Sequence, residues 1–142
     1  MPVHVVDSIT QLGSDAAGAV AIAASHGGVY AGYLAAKAHL RGVIFSDAGV
    51  GLDCAGIGSL AYLDALGMPA ACVDYRSARI GDGADLAKRG TISFCNAAAQ
   101  ALGCSAGTAA FDCAKSMLAA AESSADPPAY AEARTLLRCS NP

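Results

Sequence analysis

The chain has 142 residues and a mass of 14.0 kDa, enough for one domain and little else. Apolar residues make up 54% and charged residues 15%, so a large core can be buried and disorder is excluded over most of the length. The net charge is −3, and the nine Lys and Arg are scattered singly apart from Lys88-Arg89, which leaves no basic stripe for a nucleic-acid backbone.

No apolar run reaches the roughly 18 residues of a membrane span. Met1–Asp7 carries no basic region followed by an apolar stretch, so a cytoplasmic location is expected. Six cysteines occur without a C-x-x-C pair. They read as reduced, mostly buried small hydrophobes, with a reactive thiol or a single bridge as the alternative.

In chain order, Val3–Val6 and the wholly apolar run Gly18–Ala24 read as strands. The second has no alternation, as expected of a strand buried on both faces. Val29–Leu40 has helical spacing, and Val43–Phe45 is the next strand. A helix over Cys54–Leu66 is closed by Gly67 and Pro69, and Ala70–Val73 is a further strand. Thr91–Gly103 reads as a helix, with a short strand at Ile92–Phe94 as the competing reading. Thr108–Glu122 is helical, Asp126–Pro128 a break, and Ala129–Cys139 a last helix.

Alternation of strand and helix predicts linked βαβ units. The expected fold class is α/β: a small three-layer domain of about four mostly parallel strands, Rossmann-like or flavodoxin-like, with a helical C-terminal third. One domain covers 1–142, with a βαβ core over 1–80, a helical portion over 81–125 and a tail over 126–142.

Ligands of such sheets bind outside the carboxyl ends of the strands. Three strands are followed there by polar, glycine-bearing segments: Ser25-His26-Gly27-Gly28, Ser46-Asp47-Ala48-Gly49 and Asp74 to Gly83. Ala23-Ala24-Ser25-His26-Gly27 resembles, over five residues, the nucleophile elbow of α/β-hydrolases. That resemblance implies a serine hydroxyl lifted above the sheet. The amides of His26, Gly27 and Gly28 would stabilise an oxyanion or bind an anion. No histidine follows His39, so the hydrolase order of triad residues cannot be completed within the chain.

Asp47, at the end of an apolar strand, is the candidate general base. Arg79 is the candidate substrate anchor, with Ser77, Asp82 and Asn96 as further contacts. Asn96 reads equally as a hydrogen-bonding residue at the edge of the core. Phosphate-loop and dinucleotide motifs are absent, and no cofactor or metal is expected.

The functional expectation is a small enzyme hydrolysing an amide- or ester-like bond in a small polar metabolite. The alternatives are a non-catalytic anion- or small-ligand-binding or assembly subunit, and a lyase or isomerase with Asp47 as base. The expected partners are a small-molecule substrate, further copies of the chain in a homo-oligomer packed through the C-terminal helices, and a companion subunit. Neither nucleic acid nor membrane is expected.

Overall fold

In the computed structural model, residues 3–79 and 81–120 are described, and of Leu52 and Asp53 only the backbone. The sequence readings of Asp126–Pro128 and Ala129–Cys139 lie outside that range. Five strands form one sheet in the order β1 (Val3–Val6), β2 (Val20–His26), β3 (Gly42–Ser46), β4 (Ala70–Val73) and β5 (Ile92–Cys95). The first four are parallel, and β5 joins the edge antiparallel to β4. This is the expected α/β class with one strand more than expected.

Val20–Ala24, all of β3 and all of β4 are buried, which is why these runs are apolar without alternation. Helices α1 (Val29–Lys37) and α2 (Gly58–Ala65) cover one face. There Ala31, Ala35, Leu60 and Leu63 pack with Ala21, Ala23, Val43, Phe45 and Cys72. A Cβ on Gly32 would stand 2.9 Å from that of Ser59, so the helices cross at two small residues.

The opposite face is covered by α3 (Gly83–Arg89) and α5 (Ala110–Met117). Their Leu86, Cys113, Ala114 and Met117 pack on Val20, Ile22, Ile44, Ala71 and Val73. The short α4 (Ala97–Gln100) lies between β5 and α5.

Three expectations change. Thr91–Gly103 is not one helix, because Ile92–Cys95 pairs with the open edge of β4. Asn96 then caps α4, its Oδ1 accepting from the Ala99 amide at 2.9 Å. Pairing along a sheet edge overrides the helical spacing of the apolar residues here. Leu52–Ile57 is 3₁₀ rather than α, and Cys54 has φ 57°, which an α-helix does not accommodate. Helix α5 buries Ala110, Cys113, Ala114 and Met117 but exposes Phe111, Asp112 and Lys115. Its described part is therefore amphipathic, with a single buried face, and not apolar around most of its circumference.

Helix α3, which the apolar spacing did not suggest, is built from its ends. Asp82 caps it by accepting from the Asp85 amide at 3.0 Å, and Arg89 in its last turn binds Asp85 through two nitrogens, each at 2.8 Å. The Arg89 hydrogen bonds, with a smaller part from the Arg79 amide, hold the Asp85 carboxyl at about 2. A depressed carboxylate contributes stability that is present above its unfolded value, about 3.9, and is lost as the pH falls through the folded one. Urea midpoints should therefore decline between pH 4 and 2, and Arg89→Ala should flatten that decline. Parallel curves for the two proteins would contradict the pairing.

Candidate functional site

The strands run in sequence order, so no reversal of order opens a crevice. The rule for such sheets places a crevice where the chain leaves adjacent strands to opposite faces. After β3 it turns to α2, and after β4 it swings over the carboxyl ends of the strands to α3, where the Gly83 amide reaches the Asp7 carboxylate at 2.8 Å.

Asp47 sits between those two exits and is 4% exposed. Its Oδ1 accepts from the Gly49 amide at 2.8 Å and from the Tyr75 amide, beyond β4, at 3.1 Å. Its Oδ2 accepts from the Ser93 hydroxyl of β5 at 2.7 Å. Three elements thus fix one carboxylate. Each carboxylate oxygen can accept about twice, so Oδ2 retains one accepting direction beyond these bonds.

The segment after Asp47 is strained. Ala48, Gly49, Val50 and Gly51 have φ of 49°, 78°, 70° and 73°. Left-handed backbone suits the glycines, but for alanine and a β-branched valine it costs about 1–3 kcal/mol each. Such strain concentrates where a loop has a task besides connecting elements. The segment is held by bonds from Ala48 N to Ser46 Oγ, Val50 N to the Asp47 carbonyl, and Gly56 N to the Val50 carbonyl. A Cβ on Gly56 would lie 1.9 Å from the Asp47 carbonyl oxygen, so only glycine permits this approach.

Behind Asp47, Gly27 packs on the Cys72 sulfur and the Gly56 carbonyl; a Cβ there would meet each at 2.7 Å. Burial first, and the Asp47 charge second, push the Cys72 thiol far up, so it is no nucleophile. Ser59 Oγ, 3.2 Å from the same Cβ position, is wholly buried and has no hydrogen-bond partner among the described residues.

Ser25 lies inside β2, not on a turn, because the strand continues to His26 and α1 starts only at Val29. Its Oγ accepts from the Ile9 amide at 2.9 Å, tying the 3₁₀ turn Ile9–Gln11 to the sheet. The elbow likeness is therefore one of residue types only. Ser25→Ala should destabilise by about 1–2 kcal/mol, since the Ile9 amide loses its acceptor. Chemical denaturation checks this, and an unchanged midpoint would contradict it.

The Gly27 amide, expected to face an anion, donates to the Ser46 carbonyl at 2.8 Å. Gly28 is the N-cap of α1, and the exposed His26 ring folds back beside it. Adjacent strand ends place Ser25-His26 beside Ser46-Asp47, with His26 in register with Ser46.

The remaining candidates separate. Arg79 is exposed; its backbone amide donates to Asp85 at 2.7 Å, and its charge acts on that same carboxylate. The guanidinium that feels the Asp47 charge belongs to Arg76, which is paired with Asp74 at 2.9 Å and lies over the Tyr75 ring at 5.9 Å. Ser77 braces the loop, donating to the Asp74 carbonyl and accepting from the Thr91 amide. Asp82 caps α3. Asn96 is at the other end of the sheet, where it accepts from Ala70 N at the start of β4, so it cannot share a site with Asp47.

Ser93, Tyr75 and Ser59 went unread in the sequence. The period-two run Ile92-Ser93-Phe94 was the one available signal, for Ser93.

A pocket of about 380 Å³ lies elsewhere, between Ile9–Gly13 and the Tyr30, Leu34 and Lys37 side of α1. Its walls mix Ile9, Leu12, Leu34 and Ala38 with Thr10, Tyr30 and Lys37, whereas the hydrogen bonds that converge on one buried carboxylate are at Asp47. Among the described residues no group of three or more His, Cys, Asp or Glu is placed to hold a metal ion. No helix of the described residues is long and apolar enough to cross a membrane. Cys72, Cys95, Cys104 and Cys113 are free, as the leading reading expected, and Cys54 is disulfide-bonded, as its single-bridge alternative allowed. No family model, curated protein or solved structure matches the chain.

Proposed function

We propose that the chain acts on a small polar molecule in the crevice above β3 and β4, hydrolysing an amide- or ester-like bond with Asp47 as general base. What supports this is the buried Asp47 carboxylate, fixed by Gly49, Tyr75 and Ser93 and followed by strained backbone. Such a group is pre-oriented, and Oδ2 has a direction left in which to take a proton from an attacking water. That water adds to the carbonyl carbon, and the proton it gives up passes through Asp47 to the leaving amine or alkoxide. Ser25 has its oxygen engaged by Ile9 but its hydroxyl hydrogen available, which suits a positioning donor and not a covalent nucleophile.

A serine-reactive phosphonate followed by intact-mass measurement tests the role of Ser25. No adduct is expected, and stoichiometric labelling of Ser25 would overturn the water-based reading.

The second reading is a non-catalytic binding or assembly subunit. One observation favours it: the Gly27 amide and the Ser25 oxygen are both engaged within the domain. Absence of turnover above buffer on a panel of small esters and amides would favour this reading. Homo-oligomerisation belongs to the proposal as well, and sedimentation showing a 14.0 kDa species at micromolar concentration would refute it.

A further inference from the structure

Strand β5 does not keep an even register with β4. Ala71 pairs with Cys95 and Cys72 with Phe94, but Val73 pairs with Ile92, so Ser93 is the extra residue of a bulge and has no partner in β4. Bulges re-aim a side chain and are over-represented beside active sites. At this one the Ser93 hydroxyl meets the carboxylate of Asp47, 46 residues earlier in the chain.

The backbone around the bulge is fixed. The Thr91 carbonyl accepts from the Asp74 amide at 2.8 Å, the Ile92 amide donates to the Thr108 carbonyl at 2.8 Å, and the Asn96 amide donates to the Ala70 carbonyl at 3.0 Å. The half-buried Ser93 side chain has two acceptors within reach, Asp47 Oδ2 at 2.7 Å and the Cys72 carbonyl at 3.3 Å. A hydroxyl carries one hydrogen, so it donates to one of them at a time. The shorter contact has the length of a charge-assisted bond to an ionised carboxylate, and the longer one exceeds the span of a formed O–H···O bond. The hydrogen therefore rests on the Asp47 side while that carboxylate is ionised. A brace for the end of β3 needs only this first acceptor. The second matters when the carboxylate gains a proton and accepts poorly.

We propose, resting on the reading of Asp47 as general base, that Ser93 is its positioning residue: the hydroxyl donates to ionised Oδ2, accepts from Oδ2 once that oxygen holds a proton, and then turns its own hydrogen to the Cys72 carbonyl. The proton that Asp47 takes from water stays bonded to Oδ2. It rotates about the C–O bond towards Ser93 Oγ, and rotates back before passing to the leaving group. Ser93 keeps its own proton throughout, so only hydrogen bonds change there and no charge collects on the serine. No heavy atom has to move, because the bonds from Gly49 and Tyr75 to Oδ1 hold the carboxyl plane in both states.

Two measurements on the full chain test this. In Asp47→Asn the amide nitrogen supplies a hydrogen to Ser93 Oγ and so copies the protonated state. The carbonyl carbon resonance of Cys72, read by NMR through the Val73 amide, should move downfield in that variant, as a carbonyl does on gaining a hydrogen bond. It should stay in place when Ser93→Ala is added. An unmoved Cys72 carbonyl in Asp47→Asn would overturn the proposal. In the second measurement, Ser93→Ala alone should lower kcat about tenfold, the worth of one hydrogen bond to a charged group, with KM within about twofold. Ser93→Thr keeps the hydroxyl and should restore the rate. Added to Asp47→Asn, Ser93→Ala should cost nothing further, because it acts through the carboxylate. Equal losses in both backgrounds, or an unchanged kcat in Ser93→Ala, would overturn the proposal. A wild-type chain without turnover on any ester or amide would refute hydrolysis, and the Cys72 carbonyl would still uphold or overturn the place of Ser93.

Discussion

Replacing Asn96 by alanine is expected to destabilise the domain by about 3–5 kcal/mol, more than any other single truncation of a polar side chain considered for this molecule. Asn96 is 6% exposed and uses its full hydrogen-bonding capacity. Its Oδ1 accepts from the amides of Ala70 and Ala99 at 3.0 and 2.9 Å, and its Nδ2 donates to the carbonyls of Met68 and Leu60 at 2.9 and 3.3 Å. One side chain therefore joins the start of β4, the first turn of α2, the loop after α2, and the cap of α4. Alanine would leave four backbone groups without that partner, in a place that water reaches poorly. Asn96→Asp is the sharper variant, because it keeps both accepting bonds and turns the two donations into carboxylate facing carbonyl oxygens. Urea denaturation measures both variants. A loss below about 1 kcal/mol in Asn96→Ala would mean that water replaces the side chain and that the network is dispensable.

Asn96 also shows where sequence reading runs out. As a polar residue near the end of the core it reads equally as a ligand contact or a brace, and only the antiparallel placement of β5 puts it at the amino end of β4. The strands β2, β3 and β4 were legible because burial on both faces leaves an unbroken apolar run. Strand β5 was not, since Ile92, Cys95, Ala99 and Leu102 satisfy helical spacing while Ile92-Ser93-Phe94 satisfies the period of a strand. The open edge of β4, a property of the assembled sheet, decides between them.

Asp47 was legible as an ionisable group ending an apolar strand. Its partners were not, because Tyr75 and Ser93 lie 28 and 46 residues away and reach it only through strand order in space. The left-handed conformations of Ala48 and Val50 carry no residue-type signal, since neither residue favours them. Ser25 misled for the opposite reason. Small residues around it satisfy the elbow pattern, but in this chain they let β2 run on to His26.

The strained turn and the carboxylate are parts of one device. Gly56 lets the 3₁₀ stretch sit against the Asp47 carbonyl, Gly27 lets β2 close on Cys72 and Gly56, and the side chain of Asp47 is thereby left facing β4 and β5. A purely structural brace would serve as well with an amide in place of the carboxylate, whereas a general base would not.

Asp47→Asn in the full chain therefore tests the account most directly. The amide oxygen can still accept from Gly49 and Tyr75, and its nitrogen can donate to Ser93. The Ser93 hydroxyl then turns to the Cys72 carbonyl, to which it is already 3.3 Å away. Stability should change by less than about 1 kcal/mol. Hydrolysis of the best substrate from a panel of small esters and amides should fall by about 10²–10⁴. Full turnover by a folded Asp47→Asn protein would contradict the assignment of Asp47 as the base.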